Sequence, residues 1–169
     1  MKLYLLRHAE AEPHAGGTSD EARQLTERGK GRMAQAARGL HRLGVEVDAL
    51  LTSPLKRALQ TAEIVAAEYN NNPAAQTMLE LATGVAPAKV VAALASMSDH
   101  QEVIVVGHEP QLSAVASLLL TGSSERVSMQ LKKGSCVALE LPERSERGAG
   151  ELLWMMTQGQ LRKLRRRPS

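Results

Sequence analysis

Short apolar runs alternate along this chain with stretches whose apolar residues recur every three to four positions, and that alternation constrains the fold more than any other feature. Residues 2–6 (KLYLL) read as a buried strand. Thr26 then offers an N-cap to a helix that carries Met33, Ala37, Leu40 and Leu43 on one face and stops near Gly44. Residues 47–52 (VDALLT) read as a second strand. Ser53-Pro54 follows as N-cap and first position of a helix that buries Leu55, Leu59, Ala62, Val65 and Tyr69. After a loop at 70–76, Thr77–Leu81 is expected as a short strand and Pro87–Met97 as a helix with Val90, Val91 and Leu94 inward. Val103–Val106 is the clearest strand, and Gly107 leads from it into a helix from about Pro110 to Leu120. Period-two patterning takes over in Cys136–Leu141 and Leu152–Thr157, which predicts a final antiparallel hairpin. The order predicts an α/β fold: a three-layer α/β/α sandwich with a mostly parallel sheet and an antiparallel C-terminal edge hairpin.

In open parallel sheets, ligands bind beyond the carboxyl ends of the strands, near the point where strand order reverses. Arg7-His8 follows the first strand, Arg57 lies in the first turn of the helix after the second, and His108 immediately follows the Val103–Val106 strand. Two arginines and two histidines at one sheet edge suit a dianionic phosphoryl group, because guanidinium forks match phosphate oxygens and helix N-termini add backbone donors. The histidines remain available for covalent or acid–base work. Each residue also has a plainer reading. His8 and His108 can be capped or partly buried histidines, Arg57 a surface residue of its helix, and Arg7 the end of a strand.

Charge is informative only once divided along the chain. Five of the 21 Lys and Arg fall in residues 161–169 (LRKLRRRPS), which contain no acid, so residues 1–160 hold 16 basic against 18 acidic groups. This predicts one domain over residues 1–160, slightly acidic, and a solvated basic tail over 161–169. Tyr4, Tyr69 and Trp154 are the only aromatic residues, too few for base-stacking platforms, which argues against nucleic acid as a partner. No stretch approaches ~18 uninterrupted apolar residues, and the N-terminus reaches Arg7 after a short apolar run. No membrane partner is expected, and the expected location is the cytoplasm. Cys136, the single cysteine, agrees with a reducing compartment. It is not the nucleophile of a tyrosine-phosphatase-like loop, because Pro142 stands where an arginine would be needed. The five histidines (8, 14, 41, 100 and 108) lack close ligand pairs, so no metal site and no cofactor are expected. Gly39–Gly44 has P-loop spacing, but Val45 follows where Lys is required.

The segment Arg7-His8-Ala9-Glu10-Ala11 resembles the Arg-His-Gly signature of the histidine phosphatase, or phosphoglycerate-mutase-like, superfamily. Leu25-Thr26-x-x-Gly29, Ser53-Pro54-x-x-Arg57-Ala58-x-Gln60-Thr61-Ala62 and Val106-Gly107-His108-x-Pro110 are similar to its later motifs, in the same order. The short length and the forms Arg7-His8-x-x-Ala11 and Gly107-His108-x-Pro110 look most like phosphohistidine phosphatases of the SixA type. The resemblance implies that His8 becomes phosphorylated, that Arg7, Arg57 and His108 bind the phosphoryl group, and that Glu80 stands near the position of an acidic proton donor. It also implies a substrate: a phosphohistidine-bearing protein, such as a phosphorelay or phosphotransfer domain, or else a small phosphate ester. A third possibility is a phosphate-recognition module without catalysis. The chain departs from the family pattern at three places. Ala9 replaces a glycine and requires that the backbone there not adopt a positive φ. Ala11 and His14 replace a hydroxyl-bearing residue and an asparagine of mutase-type relatives, and His14 is expected to be exposed. Ser53 is read as a helix cap.

Overall fold

Alternation of side chains decides the centre of the sheet. In the computed structural model, which describes residues 1–14, 19–97, 99–142 and 147–164, β1 (Lys2–Arg7) sends Leu3 and Leu5 to one face and Tyr4 and Leu6 to the other, all of them buried. Strand β4 (Glu102–Gly107) lies parallel beside it and is buried along its whole length, as expected of a strand covered on both faces. Strands β2 (Ala49–Thr52), β3 (Ala75–Thr77), β5 (Cys136–Glu140) and β6 (Glu151–Met156) complete a six-stranded sheet in the order β3-β2-β4-β1-β5-β6. Pairings from β3 to β1 are parallel, and β5 and β6 add the antiparallel edge.

Helices cover both faces. Met33, Ala37 and Leu40 of α1 (Glu27–Arg42) and Ala58, Ala62 and Val65 of α2 (Lys56–Ala66) pack over Tyr4, Leu6, Leu50, Ile104 and Val106. On the opposite face, Val90, Val91 and Leu94 of α3 (Pro87–Leu94) join Leu112, Val115 and Leu119 of α4 (Gln111–Thr121) over Leu3, Leu5, Val103 and Val105. This is the α/β/α sandwich expected from the sequence. The caps follow local chemistry: Thr26 Oγ1 accepts the Gly29 N–H at 2.8 Å, and Gly122 ends α4 in the left-handed conformation at φ 77°.

Four local expectations change. The helix expected from Ser53-Pro54 begins at Lys56, with Leu55 as its N-cap in an extended conformation, and Ser53 is held by its N–H to Val106 O instead. Strand β3 spans residues 75–77 rather than 77–81; it pairs only with β2, and residues 79–81 form one 3-10 turn that directs Leu81 into the core. Leu43 is the C-cap of α1 and is exposed, and Leu59 is only half-buried. The basic tail expected from residue 161 begins inside a helix, α5 (Gln158–Lys163), whose Leu161 is fully buried against α1. A side chain at Gly39 would collide with the Leu161 backbone, so glycine in the middle of α1 is what lets α5 lie close. Residues 165–169 lie outside the described residues. None of the described helices is long and apolar enough to cross a membrane.

Candidate active site

The sheet has one point where its connections diverge. The chain leaves β1 through α1 towards β2, on the far side of β4, and leaves β4 through α4 towards β5, on the far side of β1. A crevice therefore opens at the carboxyl ends of β1 and β4. Arg7, His8 and His108 stand at those ends, and Arg57 reaches them from the first turn of α2. The sequence motifs thus converge in space.

Backbone bonds fix His8 before its ring is considered. Its N–H donates to Gly107 O at 3.0 Å, and its carbonyl, like that of Arg7, accepts the Gly134 N–H at 3.1 Å. The next peptide is held as well, since Ala9 N–H donates to Thr61 Oγ1 at 3.1 Å and Thr61 in turn donates to Arg57 O at 2.7 Å. Ala9 is fully buried and is not among the residues of positive φ, so alanine satisfies the condition its place in the motif imposed. In the ring, Nδ1 lies 2.7 Å from Ala9 O. A carbonyl only accepts, so Nδ1 carries the proton and Nε2 keeps its lone pair.

His108 is held from a different side. Ser53 N–H donates to Val106 O at 2.9 Å, which sets the serine beside the end of β4 with its hydroxyl 2.8 Å from His108 Nε2. Ser53 is therefore a partner of His108, where the sequence suggested a helix cap. Both imidazoles are nearly inaccessible, with 4% and 3% exposure, and their centroids are 5.1 Å apart. Burial pushes His8 down to about 3, with neighbouring His108 and the two arginines adding to the shift. Burial and the Arg57 guanidinium push His108 down to about 4. Both rings are neutral at pH 7.

Arg57 is almost wholly buried, yet its terminal nitrogens are engaged: Nη1 donates to Asp20 O at 2.6 Å and Nη2 to Asp20 Oδ2 at 2.9 Å. The other carboxylate oxygen of Asp20 accepts from Arg23 Nη1 at 2.8 Å. Arg7 Nη1 donates to Leu131 O at 2.7 Å. Nine buried side-chain nitrogen and oxygen atoms among the described residues lack a hydrogen-bond partner, and four belong to this one cluster: Nε of Arg7, Arg23 and Arg57, and Nδ1 of His108. Buried donors without acceptors are rare in folded proteins, and a cluster of them matches a seat for an anion.

Glu80 is tied through its backbone to the start of α4. It sits in the 3-10 turn after β3, where its carbonyl accepts from Gln111 Nε2 at 2.8 Å, and its carboxylate makes no hydrogen bond or ion pair among the described residues. His14 is exposed. Asp20 and Arg23 were not anticipated, because both lie in a polar loop that the sequence presents as surface. Thr61 was carried within a motif whose reason is now visible: it anchors the peptide after His8. Gly29 has a similar reason, since a side chain there would run into the carbonyl of Glu10. Among the described residues, no three His, Cys, Asp or Glu side chains cluster as a metal site would require.

The sequence matches the family model described as histidine phosphatase superfamily (branch 1) over residues 3–85. An uncharacterized protein of Picosynechococcus sp. is 34% identical over 146 residues, covering 82% of this chain and 84% of that protein. Among solved structures, the protein histidine phosphatase SixA complexed with tungstate aligns with a TM-score of 0.84 at 26% identity, over 95% of this chain and 99% of that one. The alpha-ribazole phosphatase of Shigella flexneri shares the fold at a TM-score of 0.76 and 18% identity, over 94% and 97% of the two chains. The family match spans β1 to the segment before α3, and the likeness in fold runs on through the hairpin and α5, so this protein belongs to the histidine phosphatase superfamily.

Proposed function

We propose that the protein is a metal-independent, cytoplasmic phosphatase that removes the phosphoryl group from phosphohistidine on another protein, through a covalent phospho-His8 intermediate. The observation that carries this reading is the set of unpartnered nitrogens of Arg7, Arg57 and His108 gathered beside a His8 whose Nε2 lone pair is free. Phosphoryl transfer asks a protein chiefly for positioning and charge stabilisation, and this cluster supplies both. The phosphoryl oxygens sit among Arg7, Arg57 and His108. His8 Nε2 attacks phosphorus in line; the Nε2–P bond forms as the P–N bond of the substrate breaks, and the departing imidazole nitrogen takes up a proton from solvent water. Water then attacks phospho-His8, the P–Nε2 bond breaks, and orthophosphate leaves with His8 restored. The Ala9 carbonyl, which accepts the Nδ1–H of His8, stabilises the positive charge that develops on the ring.

Phosphohistidine is favoured over an alkyl ester by the leaving group. The imidazolium expelled has a pKa of about 6.5 in model peptides, whereas an ester expels an alkoxide, a far stronger base that needs a strong acid beside it. Glu80 is the candidate acid, and its carboxylate makes no hydrogen bond or ion pair among the described residues. The connections after β2 and β4 are short, residues 53–55 and 108–110, and the longer segment after β1 comes back onto Arg57 through Asp20.

The test is kcat/KM for a phosphohistidine protein and for a panel of sugar and nucleotide phosphates, on the wild type and on Glu80→Gln. The expected result is a preference for phosphohistidine, with Glu80→Gln impairing ester hydrolysis more. An ester preference that depends strongly on Glu80 assigns the protein to small-molecule phosphomonoesterases. Label trapped on the wild type should be stable to alkali and labile to acid, and absent from His8→Ala. Label retained by that variant removes His8 as nucleophile, and no turnover on any substrate leaves only a phosphate-recognition module.

A further inference from the structure

The loop that leaves β1 returns to the site. Glu12 N–H donates to Gln24 O at 2.8 Å, Thr26 N–H donates to Glu10 O at 3.0 Å, and Ala11 bridges Leu25, so residues 10–12 and 24–26 close the base of the loop. Gln60 of α2 pins that base by accepting the Leu25 N–H at 2.8 Å. The returning arm carries Asp20 onto Arg57 and sets Arg23 on the other side of the same carboxylate. The Asp20 side chain is 46% exposed while that of Arg57 is 5% exposed, so the acid caps a buried cation from the solvent side.

We propose that Asp20 is a resident counter-anion of the phosphate seat. It occupies the outer edge of Arg57 in the free enzyme and lowers the affinity for product orthophosphate, which promotes release after each turnover. This rests on the reading of Arg7, Arg57 and His108 as the phosphate seat. Charge supports it. Asp20 is the one acid ion-paired with Arg57 and Arg23 among the described residues, while Glu109 acts on Arg7 from the other side of the cluster. A phosphoryl dianion arriving at Arg57 meets the Asp20 carboxylate as a like charge, and without it the seat would hold its product more tightly. Geometry supports it too. Arg57 is anchored through the Asp20 backbone carbonyl as well as its carboxylate, so the guanidinium keeps one tether when the carboxylate yields to phosphate.

Asp20→Asn removes the charge and leaves the backbone tether. Orthophosphate binding by calorimetry, and product inhibition during turnover, should each tighten about tenfold, as expected when one unit charge several Å from a dianion is lost in a partly solvated site. KM should fall with it while kcat does not rise. Asp20→Glu, which restores the charge, should bind phosphate like the wild type. A role confined to orienting Arg57 predicts the opposite: weaker phosphate binding in Asp20→Asn and a lower kcat at unchanged product inhibition. Phosphate affinity that is unchanged or weaker in Asp20→Asn overturns the proposal, and absence of phosphate binding in both proteins overturns it together with the seat. Tightening of phosphate binding in a protein that turns over no phosphohistidine would sustain Asp20 in this role and remove the proposed substrate.

Discussion

His8 and His108 are neighbours because Arg7 and Gly107 are register partners across β1 and β4. That pairing sets their imidazole centroids 5.1 Å apart with the rings tilted by 52°. Two imidazoles this close, under two guanidinium groups and out of water, are held neutral by burial above all, and the first prediction concerns their protons.

Between pH 8 and pH 5 neither ring should take up a proton in the folded protein, as followed by NMR of labelled histidine. A ring that titrates near 6.5 would show that the pocket is wetter than described. Because the folded values lie at about 3 and 4, below the ordinary 6.5, the unfolded chain binds protons first as pH falls. The stability due to these histidines is therefore fully present above about pH 6.5 and declines as acid takes the chain down towards the folded values. Denaturant midpoints at pH 7 and pH 5 should differ in that direction, and the difference should shrink in the double variant His8→Ala/His108→Ala.

Ser53→Ala leaves His108 Nε2 without its hydroxyl partner. An unsatisfied buried polar atom costs about 1–3 kcal/mol, and here the loss should appear as a kcat lowered about ten- to a hundredfold, with the fold intact by circular dichroism. Unchanged kcat in Ser53→Ala would reduce the serine to a structural filler.

Arg57→Ala should lower the rate by about 10²–10³, by comparison with loss of one preorganised donor at an oxyanion site. Chelators should leave the wild type unaffected. Strict dependence on an added divalent metal would end the metal-free mechanism proposed above.

Gly39→Ala should destabilise by about 1–3 kcal/mol, because the new methyl meets the Leu161 backbone and α5 has to move. Gly31→Ala, on the same helix with nothing within 4 Å, should instead stabilise by up to about 1 kcal/mol. Truncation follows the same boundary. Removing residues 165–169 should leave small-substrate kinetics unchanged, whereas removal from residue 161 also takes away a buried leucine, which costs about 2–5 kcal/mol. Equal melting temperatures for the two truncations would show that Leu161 does not contribute to the core.

What was legible in the sequence depended on the range of the interaction. Thr26 with Gly29, the Val103–Val106 run and the period-two hairpin are local signals, and each element formed where expected. Arg7, His8, Arg57 and His108 could be placed at one edge because parallel strands of a βα order share a direction. Ser53-Pro54 misled because serine and proline fit the turn out of a strand as well as a helix start, and the bond from Ser53 N–H to Val106 O ties the serine to β4. Asp20 and Arg23 were invisible for a different reason: their meaning comes from the long-range return of their loop onto Arg57, while the segment itself is short, polar and partly exposed. Leu161 was hidden among arginines, where composition suggested a solvated tail and the burial of Leu161 in the core beside α1 decided otherwise.

The β1–β4 pairing has a consequence for how activity is acquired. The two strands are about a hundred residues apart in the chain, and β4 has to insert between β1 and β2, so a chain emerging from the ribosome exposes β1 long before its partner exists. Pairing over such a separation pays its loop-closure entropy before any contact rewards it, which places the crevice among the last features to form. Recovered turnover after dilution from denaturant is thus a clock for completion of the whole sheet, and will lag behind the appearance of helix signal from α1 and α2.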